Sequence, residues 1–378
     1  MIYLGFIIAA SYLLLIFSLY RGWRHVKTFP KDSETQAEKV RVSIVVPARN
    51  EEKNVTALLK DINEQKYPQP WIEIILVDDA SGDKTAEAIS EWHKGKLIEL
   101  KLIQLQEQET NYSPKKRAMS EGINYASGDL IITTDADCRV GKNWLATIVS
   151  HYLKTNAKML SGPVRLSPLK SFFSKIQALE FSSLVGSGAG AIGLGKPLMC
   201  NGANLAFEKE AFDEVGGYAG NEIYASGDDV FLMMKMKATY GSEAISFVKD
   251  AEAIVDTPPK AGWKEFINQR TRWASKAKAY KSLFALFSSG VVFLFAVALL
   301  LVTLGFLMGN VRLESFLALW VVKLVIDYIF LYRINRFLNQ SYLMRYYFPA
   351  QSFTIAYTII AGFLGNFGSF TWKGRRYR

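Results

Sequence analysis

A mixed α/β sheet domain joined to membrane-spanning helices is the fold class this sequence predicts, and three observations predict it. From about Val40 to Tyr280, short β-branched runs alternate with helical patterns, as in a sheet of mainly parallel strands. Several of those runs end in acidic or polar clusters. Elsewhere the chain carries long stretches with almost no charge, close to the ~20 residues a bilayer-spanning helix needs. A length of 378 residues suffices for one soluble domain of usual size plus several spans.

Taken in order, Ile2 to Tyr20 is uncharged and is followed by Arg21, Arg24 and Lys27, which predicts a cytoplasmic C-terminal end. No basic stretch precedes this run and no small-residue cleavage site closes it. Residues 1–21 are therefore expected to be a retained anchor rather than a cleaved leader. A soluble, cytosolic domain is expected over residues 40–281. Val42–Pro47 reads as a strand ending at Ala48-Arg49-Asn50-Glu51, with a helix from about Asn54. Ile72–Val77 is a second strand, closed by Asp78-Asp79-Ala80-Ser81-Gly82-Asp83. Leu97–Leu105 is a third, and Leu130–Thr134 a fourth that terminates on Asp135-Ala136-Asp137.

Three further spans are expected over residues 282–372. Ser282–Met308 is uncharged. Leu313–Tyr332 is apolar beyond Glu314 at its start except for Lys323 and Asp327, which share a helix face at i and i+4 and can pair inside a bundle. Tyr346–Trp372 offers Gly362, Gly365 and Gly368 as a small face for close helix packing. Four spans would leave the basic tail Lys373–Arg378 outside, against the charge rule. A re-entrant last segment and a tail at the far interface each resolve that conflict.

The hydrophobic fraction of 50% is concentrated in these segments, and the net charge of +10 clusters beside them. Anionic lipid headgroups account for that charge, and no basic stripe with interleaved aromatics suggests nucleic acid. Cys138 and Cys200 are the only cysteines, so no disulfide framework exists, as suits a reducing compartment. His25, His93 and His151 are scattered, against a His-rich zinc site, and read as surface or packing residues.

In open α/β sheets ligands bind at the carboxyl ends of strands, and three strands here end in polar residues. No Gly-x-Gly-x-x-Gly follows the first strand and no Gly-Lys-Ser/Thr loop occurs, so neither a dinucleotide site nor a P-loop is supported. Asp135 and Asp137 can chelate a hard divalent cation that also binds a diphosphate; the bland alternative is a solvated turn. Asp78 and Asp79 can accept hydrogen bonds from a base or ribose, or serve turn chemistry, with Asp83 capping the next helix. Lys115 and Lys116 open a helix and can meet phosphate oxygens, or are surface lysines.

Gly227-Asp228-Asp229 opens another helical segment. Asp228 can be an N-cap, while Asp229 is a candidate general base for an acceptor hydroxyl. Gln269, Arg272 and Trp273 lie on one helix, with Gln269 and Trp273 on one face. Arg272 can pair with a diphosphate and Trp273 can stack on a sugar or an acceptor. The alternative, interfacial anchoring, also applies to Arg270, Lys276, Lys278 and Lys281.

In sequence order the motifs are Val-Val-Pro-Ala-Arg-Asn-Glu-Glu (45–52), Val-Asp-Asp-Ala-Ser-Gly-Asp-Lys-Thr (77–85), Lys115 seven residues before Gly122, and Ser-Gly-Asp (127–129). Asp-Ala-Asp, Asn-Gly-Ala-Asn (201–204), Gly-Asp-Asp and Gln-x-x-Arg-Trp follow. This ordered set resembles the membrane-bound family-2 glycosyltransferases, inverting nucleotide-sugar transferases with the Rossmann-like GT-A fold. The resemblance covers Val42 to Trp273. It implies that Pro47, Glu51, Asp78, Asp79, Lys115 and Asp135 line the donor pocket, and that Asp135 and Asp137 hold Mg2+ or Mn2+. It makes Asp229 the base with Asp228 as its helper, although the family usually has Glu-Asp there. Gln269, Arg272, Trp273 and Asn204 would serve the diphosphate and acceptor side. Pro114 stands where many relatives have Gly.

The expected donor is a nucleotide sugar, with a UDP-sugar favoured, and the expected setting is the inner or plasma membrane. The acceptor is a lipid glycosylated once or a few times, or else a growing polysaccharide. The ending Trp372-Lys373-Gly374-Arg375 resembles ceramide-glucosyltransferase-like members, and only about three spans follow the domain, so a lipid is favoured. A non-catalytic sugar-nucleotide scaffold is the rival of another class; both acidic clusters being intact speaks against it.

Overall fold

The computed structural model describes residues 2–29, 40–107, 113–220, 227–275, 282–367, 370–372 and 375–377. Its elements in chain order begin with α1 (Ile2–His25), β1 (Val42–Ala48), α2 (Val55–Asn63), β2 (Ile72–Asp79), α3 (Thr85–His93), β3 (Glu99–Leu105) and α4 (Pro114–Asn124). Then come β4 (Leu130–Thr133), β5 (Arg139–Val140), α5 (Trp144–Leu153), β6 (Met159–Ser161), β7 (Val164–Leu166), α6 (Phe172–Gly193) and β8 (Leu205–Glu208). These are followed by α7 (Lys209–Glu214), α8 (Asp228–Tyr240), β9 (Ile245–Phe247), β10 (Val255–Thr257) and α9 (Trp263–Ser275). Last come α10 (Leu283–Leu307), α11 (Leu313–Phe337), α12 (Tyr347–Phe367), β11 (Phe370–Trp372) and β12 (Arg375–Tyr377). The chain divides into two compact units, one of Val26–Pro168 with Met199–Pro258, the other of Met1–His25, Leu169–Leu198 and Pro259–Arg378.

The first unit is built on a seven-stranded sheet in the order β3-β2-β1-β4-β8-β6-β9. β1, β2, β3 and β4 run parallel, while β8 is antiparallel to both β4 and β6. β1 and β2 are apolar apart from Ser43, Glu73 and the strand ends because helices cover both faces of a parallel sheet; every residue from Ile72 to Asp79 is buried. The chain steps from β1 outward to β2 and β3, then returns to β4 on the other side of β1. That reversal is a topological switch point, where a ligand crevice forms outside the carboxyl ends of strands. Pro47, near the end of β1, fits because its missing N–H faces the side where β4 has already stopped at Thr133.

α4 lies close over this sheet. A Cβ at Gly122 would sit 2.6 Å from Val45 Cγ1 and 3.0 Å from Val77 Cγ2, so only glycine permits that approach. Pro114 takes the first position of α4, where its missing N–H costs nothing. A small second sheet, β5-β10-β7, brackets the far side of the unit.

Deep in the first unit, Glu73 is wholly buried. Burial alone would raise its pKa. Hydrogen bonds from Ser43 Oγ, from the backbone N–H of Ser127 and from Lys101 Nζ (3.0 Å) outweigh that, lowering it from 4.5 to about 2. A depressed carboxylate stabilises the fold above its unfolded pKa, and that stabilisation is lost as pH falls from about 4.5 through about 2. Glu73→Gln is expected to lower stability at neutral pH by on the order of 3 kcal/mol and to flatten the acid limb of the stability curve. Thermal melts of the detergent-solubilised chain between pH 2 and 7 check this; an unchanged acid limb would refute it.

In the second unit, among the described residues, four helices are long and apolar enough to cross a membrane: Tyr3–His25, Leu283–Leu307, Leu313–Phe337 and Ser341–Gly365. Their outward residues, including Ile7, Leu14, Leu294, Leu301, Val325 and Phe363, are exposed, a surface suited to lipid. Polar groups turn inward. Lys323 Nζ meets Asp327 Oδ2 at 2.6 Å, as their spacing predicts, and Tyr12 Oη donates to Asp327 Oδ1 at 2.7 Å, tying α1 to α11. Two of the predicted small-face glycines do allow close packing: a Cβ at Gly362 would lie 2.7 Å from the Phe293 ring, and one at Gly365 2.7 Å from Ala274 Cβ. Gly368, Lys276, Lys278, Lys281, Lys373 and Gly374 lie outside the described residues.

Candidate active site

The register of the sheet sets one side of the site. Ala48 pairs with Asp78, and Val45 with Thr133, so the loops after β1, β2 and β4 emerge side by side. The first two are laced together: Asn50 N–H donates to Ser81 Oγ (2.9 Å), Gly82 N–H to Asn50 Oδ1 (2.9 Å), Glu51 N–H to Thr85 Oγ1 (2.8 Å), and Lys84 N–H to Glu52 Oε2 (3.1 Å). Reciprocal bonds of this kind fix a crevice rim before any ligand arrives.

The two neighbouring aspartates have different work. Asp78 Oδ1 accepts from Ser81 N–H (3.2 Å) and Ser81 Oγ, closing its own turn. Asp79 lies between two guanidiniums, with Arg49 Nη1 at 3.7 Å and Arg117 Nη2 at 3.5 Å. Neither arginine was singled out in the sequence; the signal available was Arg49's place directly after a strand. Glu51 Oε2 accepts from Asn54 Nδ2 at 2.8 Å, bracing the entry to α2. Asp83 accepts from Thr85 N–H at 3.1 Å at the start of α3, the capping alternative, and from Glu52 N–H at 3.3 Å.

The acidic centre gathers residues from four separate stretches. Asp135 and Asp137 follow β4, and their carboxylates lie with the Cys138 thiol within 4.8 Å of one another. Burial first, then Asp135 and Asp137, push the Cys138 thiol well above its ordinary pKa, and its soft sulfur is the poorer match for a hard cation. Two hard carboxylate donors remain, the set that suits Mg2+ or Mn2+. Lys115 Nζ sits 2.7 Å from Asp135 Oδ1. Burial would lower its pKa, but the fields of Asp135, Asp228 and Asp229 prevail and hold the ammonium charged. One lysine thus faces an excess of negative charge, the electrostatic setting in which a divalent cation fits. Lys116, by contrast, is fully buried, 5.2 Å from the Phe231 ring centroid, and is not a phosphate contact.

Gly202 links the two acidic clusters. Thr133 Oγ1, at the end of β4, donates to Gly202 O (2.7 Å), and Gly202 N–H donates to Asp229 Oδ2 (3.2 Å). Asp229 Oδ1 also accepts from Val230 N–H at 2.8 Å. Gly227, at φ 97°, holds the left-handed turn that starts α8 at Asp228, a conformation glycine adopts without strain. Asp228 is buried at the first turn of α8.

Asn204 is placed differently from its expected position on the diphosphate side. It is buried, with Nδ2 donating to Pro163 O and Ala253 O (2.8 Å each) and Oδ1 accepting from Trp144 Nε1 (3.1 Å). Its amide holds backbone together. Gln269, Arg272 and Trp273 lie on α9 in the second unit, where the Trp273 ring is 6.2 Å from that of Phe181.

A parallel-sheet crevice with an Asp-x-Asp turn and a second acidic helix start defines a nucleotide-diphospho-sugar transferase of GT-A fold. The solved mannosyltransferase PcManGT from Pyrobaculum calidifontis, in complex with GDP-Man and Mn2+, shares that fold: TM-score 0.65 over 97% of this chain and 98% of that one, at 20% identity. Glycosyl transferase family 2 matches residues 43–216 and glycosyl transferase family group 2 matches residues 130–367, and the chain belongs to the family-2 glycosyltransferases. It is similar to the poly-beta-1,6-N-acetyl-D-glucosamine synthase of Staphylococcus epidermidis, 28% identical over 62% of this chain and 53% of that protein. It is also similar to the beta-monoglucosyldiacylglycerol synthase of Nostoc sp. (strain PCC 7120 / SAG 25.82 / UTEX 2576), 26% identical over 64% of this chain and 50% of that protein. The matched stretch thus spans about half the length of each relative.

Proposed function

We propose that this enzyme transfers a sugar, with inversion, from a nucleotide-diphospho-sugar to the hydroxyl of a membrane lipid, with the chemistry on the cytosolic side. The observation that carries the reading is Lys115, 2.7 Å from Asp135 and in the field of Asp228 and Asp229. It ties the donor-side carboxylates to the candidate base. Asp229 takes the acceptor's proton as its oxygen attacks the anomeric carbon. The new glycosidic C–O bond forms as the bond from that carbon to the diphosphate oxygen breaks, and the diphosphate leaves with the electron pair. A divalent cation held by Asp135 and Asp137 would neutralise charge on the leaving group. Pro47, Glu51, Asp78 and Asp79 are assigned to the donor pocket, where Asp79 meets the base or ribose and Asp78 and Glu51 hold the rim. Arg272 is assigned to the diphosphate, and Gln269 and Trp273 to the acceptor.

A lipid acceptor is the first reading, prompted by the likeness to a beta-monoglucosyldiacylglycerol synthase; among the described residues, three of the apolar helices follow the sheet domain. A polymer product is the second reading, prompted by the likeness to a polysaccharide synthase. Membranes incubated with labelled UDP- and GDP-sugars, then separated into lipid and polymer fractions, are expected to yield one discrete glycolipid; a polymer ladder would reverse the choice. In the same assay Trp273→Ala is expected to impair transfer more than slow hydrolysis of the donor by water, which needs no acceptor wall. Arg272→Ala is expected to impair both, since both require the diphosphate to leave. Equal losses for Trp273→Ala would reduce Trp273 to a packing residue.

A further inference from the structure

Within the Gln-x-x-Arg-Trp stretch, the resemblance assigns no role to Arg270, yet Arg270 makes several polar contacts on and around α9. It is buried, as is Glu180 on α6. Its Nε donates to Glu180 Oε1 at 3.0 Å and its Nη2 to Glu180 Oε2, a two-pronged pair. Tyr357 Oη, on α12, donates to the same Glu180 Oε1 at 2.8 Å. The remaining arm, Nη1, donates to Gln269 Oε1 at 2.6 Å. The guanidinium also lies over two rings, 4.4 Å from the Phe266 centroid and 4.3 Å from that of Trp273.

A buried ion pair is weak evidence for stability, because well-packed apolar side chains of the same volume often stabilise as much or more. What an arginine fork adds is direction. Its five donors are fixed in one plane, so anchoring two of them on Glu180 fixes where the third points and which ring face is covered. Two of the three α9 side chains that Arg270 contacts, Gln269 and Trp273, are those the proposed function places at the acceptor; the third is Phe266.

We infer that Arg270 is a positioning residue: the Glu180–Arg270–Tyr357 node joins α6, α9 and α12 and sets the orientation of Gln269 and Trp273 for the incoming acceptor. This rests on the acceptor-side reading of Trp273. Lysine at 270 keeps the buried charge opposite Glu180 but cannot at once hold Glu180 in two places, reach Gln269 and cover Trp273. Tyr357→Phe removes a single hydrogen bond and keeps the ring.

The test uses the full chain in nanodiscs made from total lipid of the source cells, diluted stepwise with inert phosphatidylcholine, and the labelled nucleotide sugar that supports transfer. Wild type, Arg270→Lys, Tyr357→Phe and Trp273→Ala are compared for transfer, donor hydrolysis, donor KM and thermal melting. Arg270→Lys is expected to lower kcat/KM for the extracted lipid by about 10- to 100-fold, the scale of a small misplacement. Donor KM and hydrolysis should stay within about twofold of wild type, and Tyr357→Phe should show the same split, smaller. Equal loss of transfer and hydrolysis in Arg270→Lys, or losses that track the melted fraction, would make the node merely structural. If Trp273→Ala splits the two activities and Arg270→Lys does not, positioning fails alone. If Trp273→Ala shows no split, the acceptor-side reading fails and this inference falls with it.

Discussion

Asp229→Asn is expected to lower kcat by about 10²–10⁴ while donor affinity stays near that of the wild type, the usual contribution of a positioned general base. The geometry makes this substitution a clean probe. Asp229 is held by two backbone donors, Gly202 N–H at 3.2 Å and Val230 N–H at 2.8 Å. An asparagine oxygen can keep one of those bonds, and α8 keeps its glycine start, so the local fold should persist. What disappears is the ability to take a proton. Donor binding should survive because Lys115 keeps its partner Asp135 and remains near Asp228. Titrating the donor calorimetrically and measuring single-turnover transfer on the same preparation separates the two effects. A variant that turns over normally but binds donor poorly would make Asp229 a donor ligand or a helix cap.

The parts of this fold that sequence reading reaches are those whose environment is simple. β1, β2 and β4 sit in the middle of a sheet covered on both faces, so their sequences are apolar apart from Ser43, Glu73 and the polar strand ends, and their predicted bounds lie within about two residues of the observed ones. The third strand was expected from Leu97 and begins at Glu99, near an edge where the apolar signal thins. β5, β7 and β10 carry two or three residues each and exist because tertiary pairing makes them, so no periodicity announces them. α6 went unread for a different reason: it is buried around most of its circumference, and its serines and glycines erase the polar face that marks an amphipathic helix.

The acidic clusters of the site were legible because aspartates at the ends of buried strands stand out against apolar sequence. The division of labour between them was not. Asp78 and Asp79 look alike in the chain, and only the turn geometry makes one of them a brace and sets the other between Arg49 and Arg117. Asn204 read as part of a motif, and its three backbone and side-chain bonds appear only once Pro163, Ala253 and Trp144 converge on it. The Glu180–Arg270 pair joins residues 90 positions apart, which no local pattern encodes.

Asp137→Asn and Asp135→Asn are both expected to cut transfer by about 10³-fold, but for reasons that a second measurement separates. Losing Lewis-acid stabilisation of a departing diphosphate removes several kcal/mol, and each 1.36 kcal/mol is a factor of ten in rate. Excess chelator should likewise silence the wild type, with Mg2+ or Mn2+ restoring it. Asp137→Asn removes one of two hard donors, so Mn2+ affinity, read by electron paramagnetic resonance in the absence of donor, should fall steeply. Asp135→Asn should weaken Mn2+ binding as well, and in addition it takes away the 2.7 Å partner of Lys115. The ammonium then loses the strongest of the fields that hold its pKa up, and donor affinity should change along with metal affinity. Asp137→Asn should leave metal-free donor binding close to that of the wild type. Full transfer in chelator, or Mn2+ binding untouched by either substitution, would remove the metal from this site.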